Sequence, residues 1–446
     1  MNANRMRRLL FVTYHYPPCG CSAMFRGEGF VRHLRSSGWE TSVLAVRRCR
    51  YSISSAIRVE GERGVWRAPE LSLLALGARL RRVARSWRSP QVIANGPAGG
   101  GRRDSGPPMP AWLSQVLRLP DPANGWYPFA VSAGLSLLLI RPPDAILSSS
   151  PPGTAHLIAA TLARISRKPW VADFHDPLAG EWGDQEGRSL GERTVARLER
   201  MVLARANAVV VVTQGHRRDL VRRYPAHASK VQVIPNGFDG STIAEALRNR
   251  AHHEGQIVIS HIGEFYHDIR RPDQFLEALG KLTSETRVDP TRIRVRFVGG
   301  GGWCQTPEFQ ALLDRTRTRD MVEVTPRLPY LESLRHLADA NILLLLQPSP
   351  LADTAIPSKA YEYLAAGTPT LTIAAKDSAT WDLMSRYENG ALVEPDTESI
   401  ASALGPLLTH AGEVELPTIP PEPAMEFERE RLTEKLAEIL HSVTRR

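Results

Sequence analysis

The sequence alternates short apolar segments with amphipathic ones, and it does so in two separate runs. In the first run, segments typical of buried strands begin with LLFVTY at 9–14 and end with VQVI at 231–234. The second run starts with IVISHI at 257–262 and closes with ALVEP at 391–395. Alternation of strands and helices predicts a parallel sheet with helices on both faces. Two such runs predict an α/β protein whose two doubly wound domains face each other across a cleft.

The break between the runs defines the predicted domains. We expect a first domain over 1–238, a second domain over 239–425 and a terminal helix within 426–446. An irregular insertion, about 50–128, interrupts the first run. Within it, the stretch 95–108 is rich in Gly, Pro and Arg, and we expect it to be partly disordered.

The charge of the chain indicates an anionic partner. The net charge is +9 and the isoelectric point is near 9.6, which suits a nucleotide sugar, an anionic lipid surface or a nucleic acid. The sequence shows no DNA- or RNA-binding signature, so we expect no nucleic-acid partner. Segment 67–88 carries leucines on one side and arginines near its end. It fits a basic amphipathic helix on a membrane surface or a peripheral helix that packs on its own domain.

The apolar stretches are short. LLFV at 9–12 is too brief for a signal peptide, and AVSAGLSLLLI at 130–140 falls short of a membrane span. We therefore expect a cytoplasmic protein, with peripheral attachment to the cytoplasmic membrane face as an option. The cysteines show neither a disulfide framework nor zinc-site spacing, and we expect no metal site. They are Cys19, Cys21, Cys49 and Cys304.

The segment DTAIPSKAYEYLAAGTPTLTI at 353–373 predicts a loop, a helix, a tight turn and a buried strand. Pro357 suits the first helical turn. Ser358 and Lys359 then lie at the positive end of the helix dipole, where free N–H groups and an ammonium can bind an anion. Glu362 lies one turn further on the same face, and its carboxylate can accept two hydroxyl hydrogen bonds. The pattern suits a nucleotide diphosphate with its ribose; a surface Lys–Glu pair on an amphipathic helix is the alternative.

This segment resembles the donor-binding stretch of family 4 glycosyltransferases, in the branch that reads P-x-K-x-x-E-Y-L-A-A-G-x-P. Further segments agree with that family in the same order, so the resemblance covers nearly the whole chain. They are TYHYPPCGCSAMFR at 13–26, ILSSSPPGTAHL at 146–157, PWVADFHDPLAGEW at 169–182, VVVVTQGHRRDL at 209–220, KVQVIPNGFD at 230–239 and HIGEFYHDIRRPDQFLEAL at 261–279.

The resemblance implies a GT-B architecture, with two Rossmann-like domains and a C-terminal helix that returns to the N-terminal domain. It implies transfer of a sugar from a nucleotide diphosphate sugar to a hydroxyl acceptor with retention of configuration. The nucleotide sugar is a co-substrate, and neither a cofactor nor a metal is needed because Lys and Arg replace a divalent ion. A surface polysaccharide or a lipid-linked glycan is the implied acceptor.

Ligands of open α/β sheets lie beyond the carboxyl ends of strands, and the remaining candidates occupy such positions. The resemblance implies a cation after strand 257–262 that binds the diphosphate. Arg270 and Arg271 both suit this role, because a guanidinium binds phosphate oxygens bidentately. Glycines in three loops would let the backbone approach the sugar donor. They are Gly20, Gly263 and Gly300.

The motif DFHDP at 173–177 follows a predicted buried strand and contains the catalytic candidates. The resemblance implies that His175 contacts the donor sugar. Asp176 can orient the acceptor or stabilise positive charge on the sugar, or it can simply cap the next helix. Many family members carry a second acid eight residues before Glu362, where this chain has Thr354. A direct carboxylate role beside the transferred sugar therefore stays open.

Two other functions fit parts of the pattern. One is a nucleotide-sugar epimerase on the same two-domain plan. The other is a non-catalytic scaffold that binds a nucleotide or a membrane, since Thr354 and the cysteine-containing loop at 19–21 depart from the family pattern. A glycosylated product, as opposed to an isomerised nucleotide sugar, distinguishes a transferase from both.

Overall fold

A computed structural model shows how the two sheets are built. It describes residues 5–19, 22–49, 64–71, 119–179, 189–251, 255–265, 270–285, 288–347, 354–388, 390–411 and 413–445. Gly20, the stretch 95–108 and most of segment 67–88 lie outside these residues.

The first domain is built on a parallel sheet of seven described strands in the order β3-β2-β1-β4-β5-β6-β7. The central strands are buried along their length, which explains their near-continuous apolar sequences. The strands are β1 (Arg7–Thr13), β2 (Trp39–Val46), β3 (Val65–Ala68), β4 (Ala145–Ser150), β5 (Trp170–Phe174), β6 (Ala208–Val211) and β7 (Val231–Val233).

Helices cover both faces of this sheet. Their starts follow local sequence: Ser189 and Glu192 form a reciprocal capping box, and the Thr213 side chain accepts a hydrogen bond from the His216 N–H group. The helices are α1 (Ser22–Leu34), α2 (Tyr127–Ile140), α3 (Thr154–Ser166), α4 (Leu190–Arg205) and α5 (Gln214–Arg223).

The second domain repeats the plan with six described parallel strands in the order β10-β9-β8-β11-β12-β13. These strands are β8 (Ile257–Ile262), β9 (Ile293–Val298), β10 (Val322–Thr325), β11 (Ile342–Gln347), β12 (Thr370–Ala374) and β13 (Gly390–Val393). The helices are α6 (Gly240–Arg248), α7 (Asp273–Ser284), α8 (Pro307–Thr316), α9 (Tyr330–Ala338), α10 (Ser358–Ala366), α11 (Ala379–Met384) and α12 (Thr397–His410).

The last helix, α13 (Arg429–Thr444), leaves the second domain and packs on the first. Its Leu432, Leu436 and Leu440 join the same buried cluster as Leu9 and Phe11 of β1. Two parallel α/β sheets and this returning helix confirm the predicted GT-B fold class. Among the described helices, none combines the length and the apolar character needed to cross a bilayer.

The structure contains a disulfide that the spacing of the cysteines along the sequence did not indicate. Cys19 and Cys49 are bonded to each other, with their Cα atoms 5.8 Å apart. Cys19 follows β1 and Cys49 follows β2, and these two strands are parallel neighbours. Residues just beyond the same ends of adjacent parallel strands meet in space, which spacing along the sequence alone does not reveal.

Candidate active site

The candidate active site is the cleft between the domains, where the carboxyl ends of both sheets meet. The loops after β5 and β8, together with the start of α10, line it. Contacts between described residues join the domains at this cleft. The Phe25 and Tyr330 rings lie 4.4 Å apart, and the Thr213 hydroxyl donates a 2.8 Å hydrogen bond to the carbonyl oxygen of Thr354. Thr354, where the family resemblance implies an acid, therefore supplies a backbone contact between the domains.

Lys359 lies in the first turn of α10 and its ammonium faces the cleft. Its Nζ atom lies 3.5 Å from Nε2 of His261. The other ring nitrogen of His261, Nδ1, donates to the carbonyl oxygen of Leu344 at 2.8 Å, which leaves Nε2 as the acceptor. Burial, and then the positive charge of Arg270, hold the pKa of Lys359 well below its usual value. An anion in the cleft would favour the charged form.

Gly263 makes room for this ammonium. It follows β8 with a φ of +136°, a conformation that residues with a Cβ rarely adopt. A Cβ atom at this position would overlap Nζ of Lys359 and would lie 3.0 Å from its Cε atom. The predicted donor-site glycine and the predicted donor-site lysine are thus direct neighbours in space.

The structure separates the two candidate arginines. Arg270 lines the cleft, and its guanidinium donates to the Leu346 carbonyl oxygen at 2.9 Å and to the Gln347 amide oxygen at 2.7 Å. Arg271 turns away from the cleft. It pairs with Asp273 at 2.7 Å and Glu308 at 2.8 Å. Of the two arginines between which the sequence left the choice open, the geometry favours Arg270, because these carboxylates hold the Arg271 side chain elsewhere.

For two other predictions, the residue that has the predicted position is the immediate neighbour of the predicted one. Gly299, with a φ of +83°, lines the cleft, whereas a Cβ at Gly300 would lie 2.7 Å from the Cys304 sulfur. Gly300 thus serves the packing behind the loop. Pro357 has an extended ψ of 133° and precedes the helix as its N-cap, so the first helical residue is Ser358. Pro357 and Ser358 both line the cleft.

Glu362 lies beside the cleft in a smaller adjoining cavity. Its carboxylate accepts a 2.8 Å hydrogen bond from the Tyr330 hydroxyl. Asn236 and Arg429 also line this cavity, and Ser358 lines both spaces. Burial raises the pKa of Glu362, and the Tyr330 hydrogen bond opposes that rise. A ligand that extends from the cleft past Ser358 would meet this carboxylate.

His175 and Asp176 line the cleft from the first domain. The His175 Nδ1 atom lies 3.2 Å from a carboxylate oxygen of Asp176, whose side chain is 53% exposed. Burial by itself would raise the pKa of Asp176, but His175 and other nearby histidines bring it below its usual value. Burial first, and then His175, lower the pKa of His15 to about 4. The carboxylate of Asp176 is therefore ionised and His15 is neutral near pH 7.

His15 also lies beside the disulfide. Its Nδ1 atom is 3.3 Å from the Cys19 sulfur and 3.7 Å from the Cys49 sulfur. These three potential ligand atoms all lie within 4.8 Å of one another. With the cysteines reduced they offer a set of nitrogen and sulfur ligands of the type that zinc prefers; in the disulfide form the sulfurs are bonded to each other. The absence of a metal remains a prediction.

Sequence reasoning missed a buried ion pair beneath the site. Asp173 is fully buried and accepts hydrogen bonds from the Arg26 guanidinium and the Ser149 hydroxyl, each at 2.8 Å. Arg26 also donates to the carbonyl oxygens of Ile234 at 3.0 Å and Pro235 at 2.7 Å. The pair therefore holds α1, β5 and the interdomain connection together. The sequence shows both residues but no signal that pairs them.

Family models match both halves of the chain. The model described as Glycosyltransferase Family 4 matches residues 90–241, and the model described as Glycosyl transferases group 1 matches residues 256–410. Together they span most of the chain: the first covers strands β4 to β7 of the first sheet, and the second covers all six described strands of the second sheet. The chain belongs to the glycosyltransferases.

Curated relatives of this glycosyltransferase match it over part of its length and at low sequence identity. A D-inositol 3-phosphate glycosyltransferase from Xylanimonas cellulosilytica is 28% identical over 249 residues, which is 52% of this chain and 54% of that protein. One from Kineococcus radiotolerans is 28% identical over 157 residues, or 34% of each chain. The matches span between a third and about half of these relatives' length.

Solved structures share the fold over nearly the full chain. A sucrose-phosphate synthase from Thermosynechococcus elongatus superposes with a TM-score of 0.63 at 14% identity, covering 98% of this glycosyltransferase and 99% of that chain. HepE from Anabaena in complex with UDP has a TM-score of 0.59 at 16% identity, covering 98% and 100%. At these identities the likeness shows the shared GT-B fold.

Proposed function

We propose that this protein transfers a sugar from a nucleotide diphosphate sugar to a hydroxyl acceptor, with retention of configuration. The observation that carries the proposal is the partly buried ammonium of Lys359, which faces the interdomain cleft at the N-terminus of α10. Burial and the nearby Arg270 destabilise its charge, and a diphosphate in the cleft would compensate both effects. HepE, which shares the fold, has been solved with UDP and with UDP-glucose, and this supports a nucleotide sugar as donor.

In this proposal the second domain stabilises the departing nucleotide diphosphate. Lys359, Arg270 and the N–H groups at the start of α10 lie where negative charge would grow as the sugar–phosphate bond breaks. Electrostatic stabilisation aimed at developing charge is usually the largest catalytic contribution. These cations supply the positive charge for which other enzymes use a divalent ion, so we propose metal-independent transfer. Activity that survives EDTA supports this, and activity that needs added Mg²⁺ contradicts it.

The first domain would contact the sugar and the acceptor. His175 and Asp176 enter the cleft from that side, and the half-exposed carboxylate of Asp176 can accept a hydrogen bond from an acceptor hydroxyl. Glu362, reached past Ser358, would bind the ribose hydroxyls. Tyr330 donates to one oxygen of that carboxylate, and in this proposal the other oxygen would bind the ribose.

The proposal extends to the biological acceptor and location. We propose a surface polysaccharide or a lipid-linked glycan as the acceptor class and the cytoplasm as the compartment, on the resemblance of the sequence motifs. The curated relatives are named as inositol phosphate glycosyltransferases, so a small phosphorylated polyol is the competing acceptor class. Segment 67–88, the stretch first considered for membrane contact, lies mostly outside the described residues.

A donor screen followed by product analysis tests the proposal. UDP-, GDP-, dTDP- and ADP-sugars are screened by thermal unfolding, since a ligand at 100 times its Kd stabilises a protein by about 2.7 kcal/mol. The stabilising donor is then incubated with acceptors, and NMR of the product reports the configuration. Lys359→Ala should lower the rate of transfer by about 100- to 1000-fold, Glu362→Gln should also lower it, and Arg271→Ala should keep it. An isomerised nucleotide sugar without transfer indicates an epimerase, and binding without turnover indicates a scaffold.

A further inference from the structure

The edge of the first sheet that lies opposite the cleft has an excess of basic over acidic residues. Its strands are all parallel, so the segments that enter them lie along one edge. The segments that enter β1, β2, β4, β5, β6 and β7 contain ten arginines and lysines but two acidic residues, a net charge of +8 against +9 for the whole chain. They are 5–8, 35–40, 141–145, 164–170, 204–208 and 228–231, and we call them the basic edge.

Part of this charge surrounds one surface pocket. Arg5, Arg7, Arg167 and Lys168 line it, and Asp144 is the acid among its lining residues. One carboxylate oxygen of Asp144 accepts a 2.8 Å hydrogen bond from the backbone of the basic edge. The cations of this pocket therefore outnumber its carboxylates by four to one, which favours binding of phosphate groups.

Exposed aliphatic side chains lie next to this charge. Leu139 and Ile140, at the end of α2, are 85% and 65% exposed, and Ile165, at the end of α3, is 56% exposed. The two helices pack side by side, since a Cβ at Gly134 of α2 would lie 2.5 Å from a methyl group of Leu162 in α3. Single exposed apolar residues are ordinary, but three at adjacent helix ends within a basic surface are not.

We propose that the basic edge docks on an anionic phospholipid bilayer. In this arrangement Leu139, Ile140 and Ile165 enter the headgroup region while the surrounding arginines and lysines bind lipid phosphates. A nucleic acid would match the charge but would leave the aliphatic side chains in water. A second copy of the chain on a twofold axis would bring two surfaces of +8 together. An anionic bilayer offers phosphates for the basic side chains and an apolar interior for the aliphatic ones.

The docked orientation leaves the cleft accessible. The strands run about 3.3 Å per residue over five to seven residues, so the cleft lies roughly 20 Å from the docked edge and faces water. The surface is distinct from segment 67–88, and the inference does not depend on the proposed transfer reaction.

Vesicle flotation of the full chain tests the proposal. We expect the protein to float with vesicles of phosphatidylcholine plus phosphatidylglycerol and to stay in solution with phosphatidylcholine alone. The double variant Leu139→Glu/Ile140→Glu should weaken partitioning at least about tenfold, because each aliphatic side chain would lose its apolar contact. The charge-reversal variant Arg164→Glu/Lys168→Glu should weaken it by at least about tenfold as well.

A matched control comes from the second domain. Val414 and Ile419 are 43% and 62% exposed, and Val414→Glu/Ile419→Glu should float like the wild type. Thermal unfolding should stay unchanged in the Leu139/Ile140 variant, since both side chains are exposed. Failure of the wild type to float with phosphatidylglycerol overturns the proposal, as does equal flotation of all variants. If these variants change the oligomeric state measured by light scattering but float like the wild type, the surface binds a second copy of the chain, and the bilayer proposal is overturned.

Discussion

Replacing Gly263 by alanine should inactivate the site without removing a charged group. The φ of +136° disfavours alanine, and such strained backbone costs roughly 1–3 kcal/mol of folding free energy. The added Cβ would also overlap the Lys359 ammonium and lie 3.0 Å from Cε. The neighbouring backbone is fixed in β8, so the ammonium has to leave its place on the cleft wall.

Displacement of the Lys359 ammonium lets us state how much kcat should fall. If Lys359 stabilises the leaving diphosphate, its loss should cost about 100- to 1000-fold in kcat, as for a removed oxyanion donor. Steady-state turnover with saturating donor sugar measures this loss, and thermal unfolding measures the strain separately. Gly38→Ala is the matched control, because Gly38 has a φ of +85° but no atom within 4 Å of an added Cβ. It should lose stability and keep kcat.

A double-mutant cycle shows whether the effect passes through Lys359. Gly263→Ala/Lys359→Ala should turn over at the rate of Lys359→Ala alone, because the ammonium is already absent and the two changes share one target. Losses that multiply in the double variant would refute this reasoning. Wild-type turnover in Gly263→Ala would refute it as well.

Three further perturbations have defined outcomes. The pKa of Lys359 is low in the empty site and should rise when a diphosphate binds beside it. UDP should therefore bind with uptake of a proton, and its affinity should fall as pH rises. Calorimetry should show no such pH dependence in Lys359→Arg, because a guanidinium stays charged. Arg270→Ala should weaken UDP binding by about tenfold or more in the same assay, and Arg271→Ala should leave it within about threefold. Asp173→Ala should lower the free energy of unfolding in urea by about 3–5 kcal/mol, whereas Asp314→Ala, which removes an exposed ion pair, should leave it nearly unchanged. Each argument is contradicted by an equal result in its pair of proteins: the same pH dependence of UDP affinity in the wild type and Lys359→Arg, the same loss of UDP affinity in both arginine variants, or the same loss of unfolding free energy in both aspartate variants.

Much of the fold could be predicted because buried parallel strands have short, continuous apolar sequences. LLFVTY at 9–14 became β1 (Arg7–Thr13), and NILLLL at 341–346 became β11 (Ile342–Gln347). Helix α2, Tyr127–Ile140, escaped prediction because it is apolar on nearly all sides and shows no helical period. Its exposed end is one of the surfaces that only the structure reveals.

In the candidate site, too, some features could be predicted from the sequence and others could not. Lys359 and Ser358 were predictable because a helix start and its anion-binding groups are local in sequence. The direction of Arg270 and Arg271 depends on Glu308 and Gln347, which are more than thirty residues away. Contacts of this kind require the tertiary structure, since each arginine alone fits the same role.

The most direct test of the central claim is a crystal structure with an intact nucleotide sugar or its UDP product. We predict that the diphosphate lies at the N-terminus of α10, with its oxygens about 3 Å from Nζ of Lys359 and from the Arg270 guanidinium. A diphosphate bound elsewhere, with the Lys359 ammonium still against His261, would contradict the account.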